Sequence, residues 1–128
     1  VGGAPAGTEV GERFLEALKR RDYDAMAACF TADAALRSVV PPGVREDDGP
    51  DAIVQRFRLW TEEIEDYEVT DCAAVEFADV LRLSWSVRGN DPSVEFTPST
   101  FEQSAYADLR DGRIAAMRLA CSGDRPVS

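Results

Sequence analysis

Candidate proton carriers and hydrogen-bonding side chains gather near the C-terminal end, in Phe101-Glu102-Gln103-Ser104-Ala105-Tyr106 and in the run from Arg113 to Cys121. Asp111-Gly112 separates them, a dipeptide that favours a two-residue hairpin turn. Such a turn pairs Tyr106 with Met117, Ser104 with Leu119 and Glu102 with Cys121, all on one face. A carboxyl group buried beside Met117 and Trp60 has its charged form disfavoured, so its pKa rises towards the working range of an acid or base. Glu102 is therefore the candidate proton carrier, and Tyr106 the candidate donor to a developing oxyanion. The alternative is a glutamate facing solvent and paired with a neighbouring arginine. A one-residue slip or bulge would exchange the two faces and turn Phe101, Gln103, Ala105 and Ala107 inward. Gln103 then becomes the inward polar group, able to orient a carbonyl as donor and acceptor.

The chain has no histidine. That removes the usual base near neutral pH, the serine and cysteine triads built on it, and the commonest metal ligand. Acid–base work must fall to Asp, Glu, Tyr, Cys or Lys. Cys29, Cys72 and Cys121 form no C-x-x-C pair, which argues against a zinc site or a disulfide framework and for a reducing, cytoplasmic compartment. Cys121 reads as a thiol on a pocket wall, with nothing nearby in sequence to activate it. Arg45-Glu46-Asp47-Asp48 lacks the ligand spacing of a calcium loop and reads as a solvated loop, a lid hinged at Pro42 and Gly43. Arg37 and Arg45 are candidate partners for an acidic substrate or a catalytic carboxylate. No cofactor and no metal are expected.

At 128 residues, 45% hydrophobic and 30% charged, the chain suits one soluble domain. Its formal charge is −10, from 24 acids against 14 bases. A field of that sign repels phosphate backbones, so neither nucleic acid nor an anionic membrane is an expected partner. No apolar run approaches the roughly 20 residues that cross a bilayer. Residues 1–7 read as a flexible lead-in, 8–123 as the domain and 124–128 as a tail.

The elements that must position these residues follow from periodicity. Thr8 is a plausible helix N-cap, and Val10, Phe14, Leu15 and Leu18 recur at helical spacing. Asp22 caps a second helix over Tyr23–Phe30. Ala34 to Val40 reads as a strand stopped by Pro41-Pro42-Gly43. Pro50 opens a third helix with Ile53, Phe57, Trp60 and Ile64 on its apolar stripe. From Tyr67 the period becomes two: a strand to Phe77 with a bulge near Ala73, a second through Leu81, Leu83, Trp85 and Val87, then the hairpin. Three amphipathic helices can cover one face of a curved antiparallel sheet and leave a pocket at its open end. Phe14, Trp60, Trp85 and Met117 are the expected pocket wall, and Ser38 could hydrogen-bond a ligand.

The stretch Phe14 to Ala34, FLEALKRRDYDAMAACFTADA, resembles the opening of SnoaL-like and ketosteroid-isomerase-like proteins of the nuclear-transport-factor-2-like (NTF2-like) superfamily. Gly49-Pro50-Asp51-Ala52-Ile53 resembles the start of their third helix, and Asp111-Gly112-Arg113-Ile114 their final hairpin. The resemblance implies an NTF2-like α+β barrel, a cone-shaped curved antiparallel sheet wrapped by three helices. It also implies a cofactor-independent enzyme acting by acid–base chemistry on a hydrophobic carbonyl- or epoxide-bearing molecule, as a cyclase, isomerase or epoxide hydrolase. A homodimer packed through the outer sheet face is a further implication. By this resemblance the isomerase's catalytic aspartate falls on Ser38 and its oxyanion tyrosine on Phe14, neither of which can do that work, so the isomerase mechanism itself is not expected. Glu102 falls where relatives carry acidic pocket residues. The alternative function is a module that binds a small molecule or a peptide without transforming it.

Overall fold

In the computed structural model, residues 6–41, 43–77 and 80–127 are described. Most of the expected lead-in thus lies outside them, as does Pro42 of the expected hinge. Helix α1 spans Ala6–Arg20 and starts two residues before Thr8, with Glu9 in its first turn and Lys19 and Arg20 in its last. These charges complement the helix dipole. Val10, Phe14, Leu15, Ala17 and Leu18 are buried on its inner face. Helix α2, Tyr23–Ala27, is capped by Asp22, whose Oδ1 accepts the Ala25 N–H at 3.1 Å. It stops short of Phe30 because Cys29 is already joining the sheet, its carbonyl accepting the Ile114 N–H at 2.8 Å.

Strand β1 runs from Phe30 to Val40, and β2 from Gly43 to Asp48 folds back against it. The charged run expected as a mobile lid is therefore an edge strand. Its charges suit an edge, where they discourage further pairing; Arg37 faces Asp48 at 3.0 Å and Glu46 at 3.7 Å across the pair. Helix α3, Pro50–Thr61, follows with Ile53, Val54, Phe57 and Thr61 buried. Strands β3 (Glu65–Phe77), β4 (Val80–Asn90), β5 (Ser99–Arg110) and β6 (Arg113–Cys121) complete the main sheet, and β7 is the short Arg125–Pro126. The expected bulge is present between Thr70 and Ala73, with Asp71 at φ 50°.

The order is β2-β1-β6-β5-β4-β3, with β7 paired to β5. Six of these pairings can be followed residue by residue, and all are antiparallel except β1–β6. The sheet is thus mixed, curved and unclosed, the α+β cone of the NTF2-like fold. Helices α1 and α3 cover its hollow face. Tyr67 on β3 ties α1 down, its hydroxyl donating to the Leu18 carbonyl at 2.7 Å while Arg21 stacks 4.2 Å above its ring. Burial pushes the Tyr67 phenol well above its ordinary pKa, so it remains a donor throughout the physiological range.

The hollow is largely filled. Phe14 packs edge-on against Phe57 (5.4 Å between centroids) and Phe30 (6.0 Å), and tilted against Trp85 (5.6 Å). Phe57 in turn meets Trp60 at 5.2 Å. Phe14, Trp85 and Met117, expected on a pocket wall, are core residues with at most 1% of their surface exposed. Aromatic rings at these spacings pack as a solid cluster, and the cavity is displaced towards the rim of the cone.

Candidate functional site

The β5–β6 hairpin decides which side chains face the hollow. Asp111 and Gly112 both take positive φ, 53° and 75°, as the expected two-residue turn requires. Three residues later Ala115 is an extra residue between the pairs Leu109–Ile114 and Asp108–Ala116. The bulge shifts the register by one, so Ala107 faces Met117, Ala105 faces Leu119 and Gln103 faces Cys121. The apolar half of β5 thereby joins the apolar half of β6, which neither unbulged arrangement achieves.

That register corrects the expected pair of catalytic residues. Glu102 lies on the outer face, 3.1 Å from Arg125, with 60% of its side chain exposed. Tyr106 is exposed beside Arg118 on the same face, and Ser104 points outward between them. None of the three can touch a ligand in the hollow. Ser38 does face inward and is fully buried, but it sits next to Leu119, away from the cavity, and its hydroxyl has no partner.

The cavity at the open end holds about 270 Å³. Trp60, Gln103 and Cys121 line it, three of the residues singled out from sequence, together with Phe101, Val40 and Leu59. Its rim carries Arg45, Arg56, Asp91 and Asp124. Gln103 is the polar group on the wall. Only 2% of it is exposed, and its Oε1 accepts the Trp85 Nε1–H at 2.8 Å. That bond fixes which end of the amide is free: Nε2 is buried and has no partner. An unpaired buried donor is disfavoured by about 1–3 kcal/mol, an expense that a ligand oxygen would relieve.

Asp124 was assigned from sequence to a tail, and its placement depends on the end of the sheet. After Cys121 the chain leaves the ladder and returns as β7, which pairs with Ser99 and Thr100 on β5. The detour is pinned on both sides. The Ser122 N–H donates to the Glu102 carbonyl and the Glu102 N–H to the Ser122 hydroxyl, both at 2.9 Å. The Val127 N–H donates to the Pro98 carbonyl at 3.1 Å. Gly123, at φ 79°, makes the turn against Pro41, whose Cγ would lie 3.1 Å from any added Cβ. This carries Asp124 to the rim. Its side chain stays partly open to solvent, yet loss of hydration and then the nearby Asp91 charge hold its pKa above the ordinary carboxylate value. No sequence signal marks it, because the pairing that places it is long-range.

The two rim arginines differ. Arg56 is held by Asp47 through two hydrogen bonds, at 3.0 and 3.4 Å, and its charge is balanced. Among the described residues Arg45 donates only to the neighbouring Val44 carbonyl, at 3.4 Å. Arg37 is outside the cavity, engaged by Glu46 and Asp48. Among the described residues no cluster of potential ligands could hold a metal ion.

The family model of the SnoaL-like domain matches residues 11–117. The chain belongs to the SnoaL-like family. No curated protein matches it in sequence. Solved structures similar to this SnoaL-like chain share its fold at low identity. A provisionally assigned polyketide cyclase from Xanthomonas campestris has TM-score 0.71 at 18% identity, with 90% of this chain and 89% of that one covered. An epoxide hydrolase of the LEH-like type from M. tuberculosis has TM-score 0.68 at 17% identity, covering 91% and 83%. A protein with a ketosteroid-isomerase-like fold from Catenulispora acidiphila, in complex with trimethylamine, has TM-score 0.69 at 19% identity, covering 87% and 83%. At these identities the likeness carries the fold alone, and the different chemistries named among them leave activity to the side chains of this SnoaL-like chain.

In that respect the thiol of Cys121 is adjacent to Gln103 across the ladder and accepts the Gly123 N–H at 3.4 Å. All three cysteines are free. No described helix is long and apolar enough to cross a membrane.

Proposed function

We propose that this SnoaL-like chain is a cofactor-independent enzyme working by acid–base chemistry on a compact carbonyl- or epoxide-bearing molecule. Gln103 Nε2 donates to the substrate oxygen on which negative charge develops, and Asp124 moves the proton. The observation that carries the reading is the orphaned Nε2 of a 2%-exposed glutamine whose other end is locked by Trp85 on the cavity wall. A donor fixed in place before the substrate arrives needs no reorganisation as charge builds up, which is how such groups lower a barrier. A carboxyl group at the rim whose pKa is raised by lost hydration and by Asp91 holds its proton more readily than an ordinary carboxylate, as a proton carrier requires. The cavity's 270 Å³ lies just below the roughly 300–1,000 Å³ of common ligand sites, so the substrate is small, with its apolar part against Trp60 and Phe101.

A panel of small ketones, enones and epoxides, followed by NMR for binding and for turnover, tests this. For any compound converted, Asp124→Asn lowers turnover by about 10²–10⁴-fold with binding retained. Gln103→Met lowers it by about 10²–10³-fold. Normal turnover in Asp124→Asn overturns the proton assignment. A second reading, a module that holds its ligand unchanged, is favoured by the position of both acids at the rim rather than the floor; binding without conversion across the panel selects it.

Two further parts belong to this proposal. The chain forms a homodimer through the outer sheet face, where Val39, Val44 and Tyr106 are 60%, 62% and 48% exposed. A monomer by light scattering at micromolar concentration sinks that. The protein works in the cytoplasm, a reading supported by its three free thiols.

A further inference from the structure

A second concavity lies on the far side of α1, where α1, α2 and the start of β6 meet. It holds about 460 Å³. Its floor is made of small residues, Ala17, Ala25, Ala28 and Cys29, and three arginines border it: Arg13, Arg20 and Arg113. Arg13 and Arg20 stand seven residues apart on α1, two turns along one face, with Ala17 between them. Arg113 enters from β6, next to Ile114, whose N–H is bonded to the Cys29 carbonyl.

These arginines are both unpaired and gathered at one groove. In a chain with 24 acids and 14 bases, a surface arginine is surrounded by prospective partners. Arg37, Arg56, Arg58, Arg110, Arg118 and Arg125 all have one. Among the described residues Arg13, Arg20, Arg82, Arg88 and Arg113 make no ion pair and no side-chain hydrogen bond, and of these Arg13, Arg20 and Arg113 border the same groove. Two acids share its edge. Asp22 Oδ1 accepts the Ala25 N–H, and both Asp22 and Glu16 keep their charge, so three guanidinium groups face two carboxylates. The field reaches the floor: Arg13 acts to lower the Cys29 pKa, against the larger raising effect of burial.

We propose that this groove is a binding site for a small amphipathic anion, a carboxylate or phosphate group on a short apolar chain. The chain lies on the alanine floor and the anionic group is taken by the guanidinium groups, which match planar or tetrahedral oxyanions through paired N–H donors. The site is separate from the cavity at Gln103 and does not depend on the reaction proposed there.

The test is an amide NMR titration of the whole chain at physiological salt with octanoate, octyl phosphate, inorganic phosphate and uncharged octyl glucoside. Saturable shifts at Arg13, Ala17, Ala25, Ala28, Cys29 and Arg113 are expected with octanoate or octyl phosphate, the tighter of the two naming the anionic group. Arg13→Gln with Arg113→Gln weakens that binding about tenfold or more, equivalent to about 1.4 kcal/mol per factor of ten, while Glu16→Gln tightens it about two- to threefold. Both variants alter exposed side chains, and circular dichroism checks that they fold. Equal binding of octyl glucoside, an unchanged affinity in the double arginine variant, or shifts confined to Trp60 and Asp124 each overturns the proposal. So does the absence of saturation with every probe.

Discussion

The two ends of the cone's hollow share one sheet and behave differently. At the closed end, Phe14, Phe57, Trp85 and Met117 interlock with no exposed surface to speak of. At the open end β5 and β6 present Gln103, Phe101 and Cys121 to a cavity rimmed by four charged side chains. Trp85 joins the two regions, its ring in the aromatic cluster and its N–H on Gln103. The filled end acts as the mount for the open one. A buried donor left without a partner is tolerated because the surrounding packing prevents it from relaxing.

The sharpest way to break this division is at its closed end. Phe57→Ala removes a ring that contacts Phe14, Trp60 and Trp85, and should destabilise the fold by about 3–5 kcal/mol in chemical denaturation. Trp85→Phe keeps most of the packing and leaves Gln103 Oε1 without its donor. A loss of about 1–3 kcal/mol is expected, together with a Gln103 side-chain amide that has become mobile by NMR. If Gln103 stays fixed in that variant, the mount is something other than Trp85.

The open end should respond weakly in stability. Arg125→Ala cuts the exposed pair with Glu102 and should cost no more than about 1 kcal/mol. Its informative readout is Asp124, whose carboxyl titration should move back towards the ordinary value as the C-terminal detour loosens. Asp124→Asn should change stability least, within about 0.5 kcal/mol at neutral pH as for other surface sites. Its sign is fixed by linkage. A carboxyl with a raised pKa in the folded state binds its proton more tightly there, so its contribution falls as pH rises from the unfolded pKa through the folded one. Above that window the asparagine variant should be the slightly more stable protein. A less stable variant across the range would mean that the carboxylate makes a favourable contact that its raised pKa does not suggest.

Much of the frame was legible along the chain. The apolar stripe of α1, the Asp22 cap, Pro50 at the start of α3 and the Asp111-Gly112 turn are local features, set by residues within a few positions of each other. The parallel pairing of β1 with β6, the charged edge strand β2 and β7 were not legible. A run such as Val44 to Asp48 reads as loop by composition and becomes a strand because β1 offers it a free edge. Within the site, Trp60, Gln103 and Cys121 were found by type and period, whereas Glu102 and Tyr106 were set on the wrong side and Asp124 was passed over.

Residue types and periodicity alone close histidine chemistry to this protein, set amphipathic helices against a sheet and put a polar cluster in the final hairpin. Tertiary structure alone decided which half of that cluster looks inward, because side chains alternate along a strand and the one extra residue at Ala115 reverses the face. It alone brought Asp124 to the rim, since that position depends on strand ends far apart in the chain meeting edge to edge.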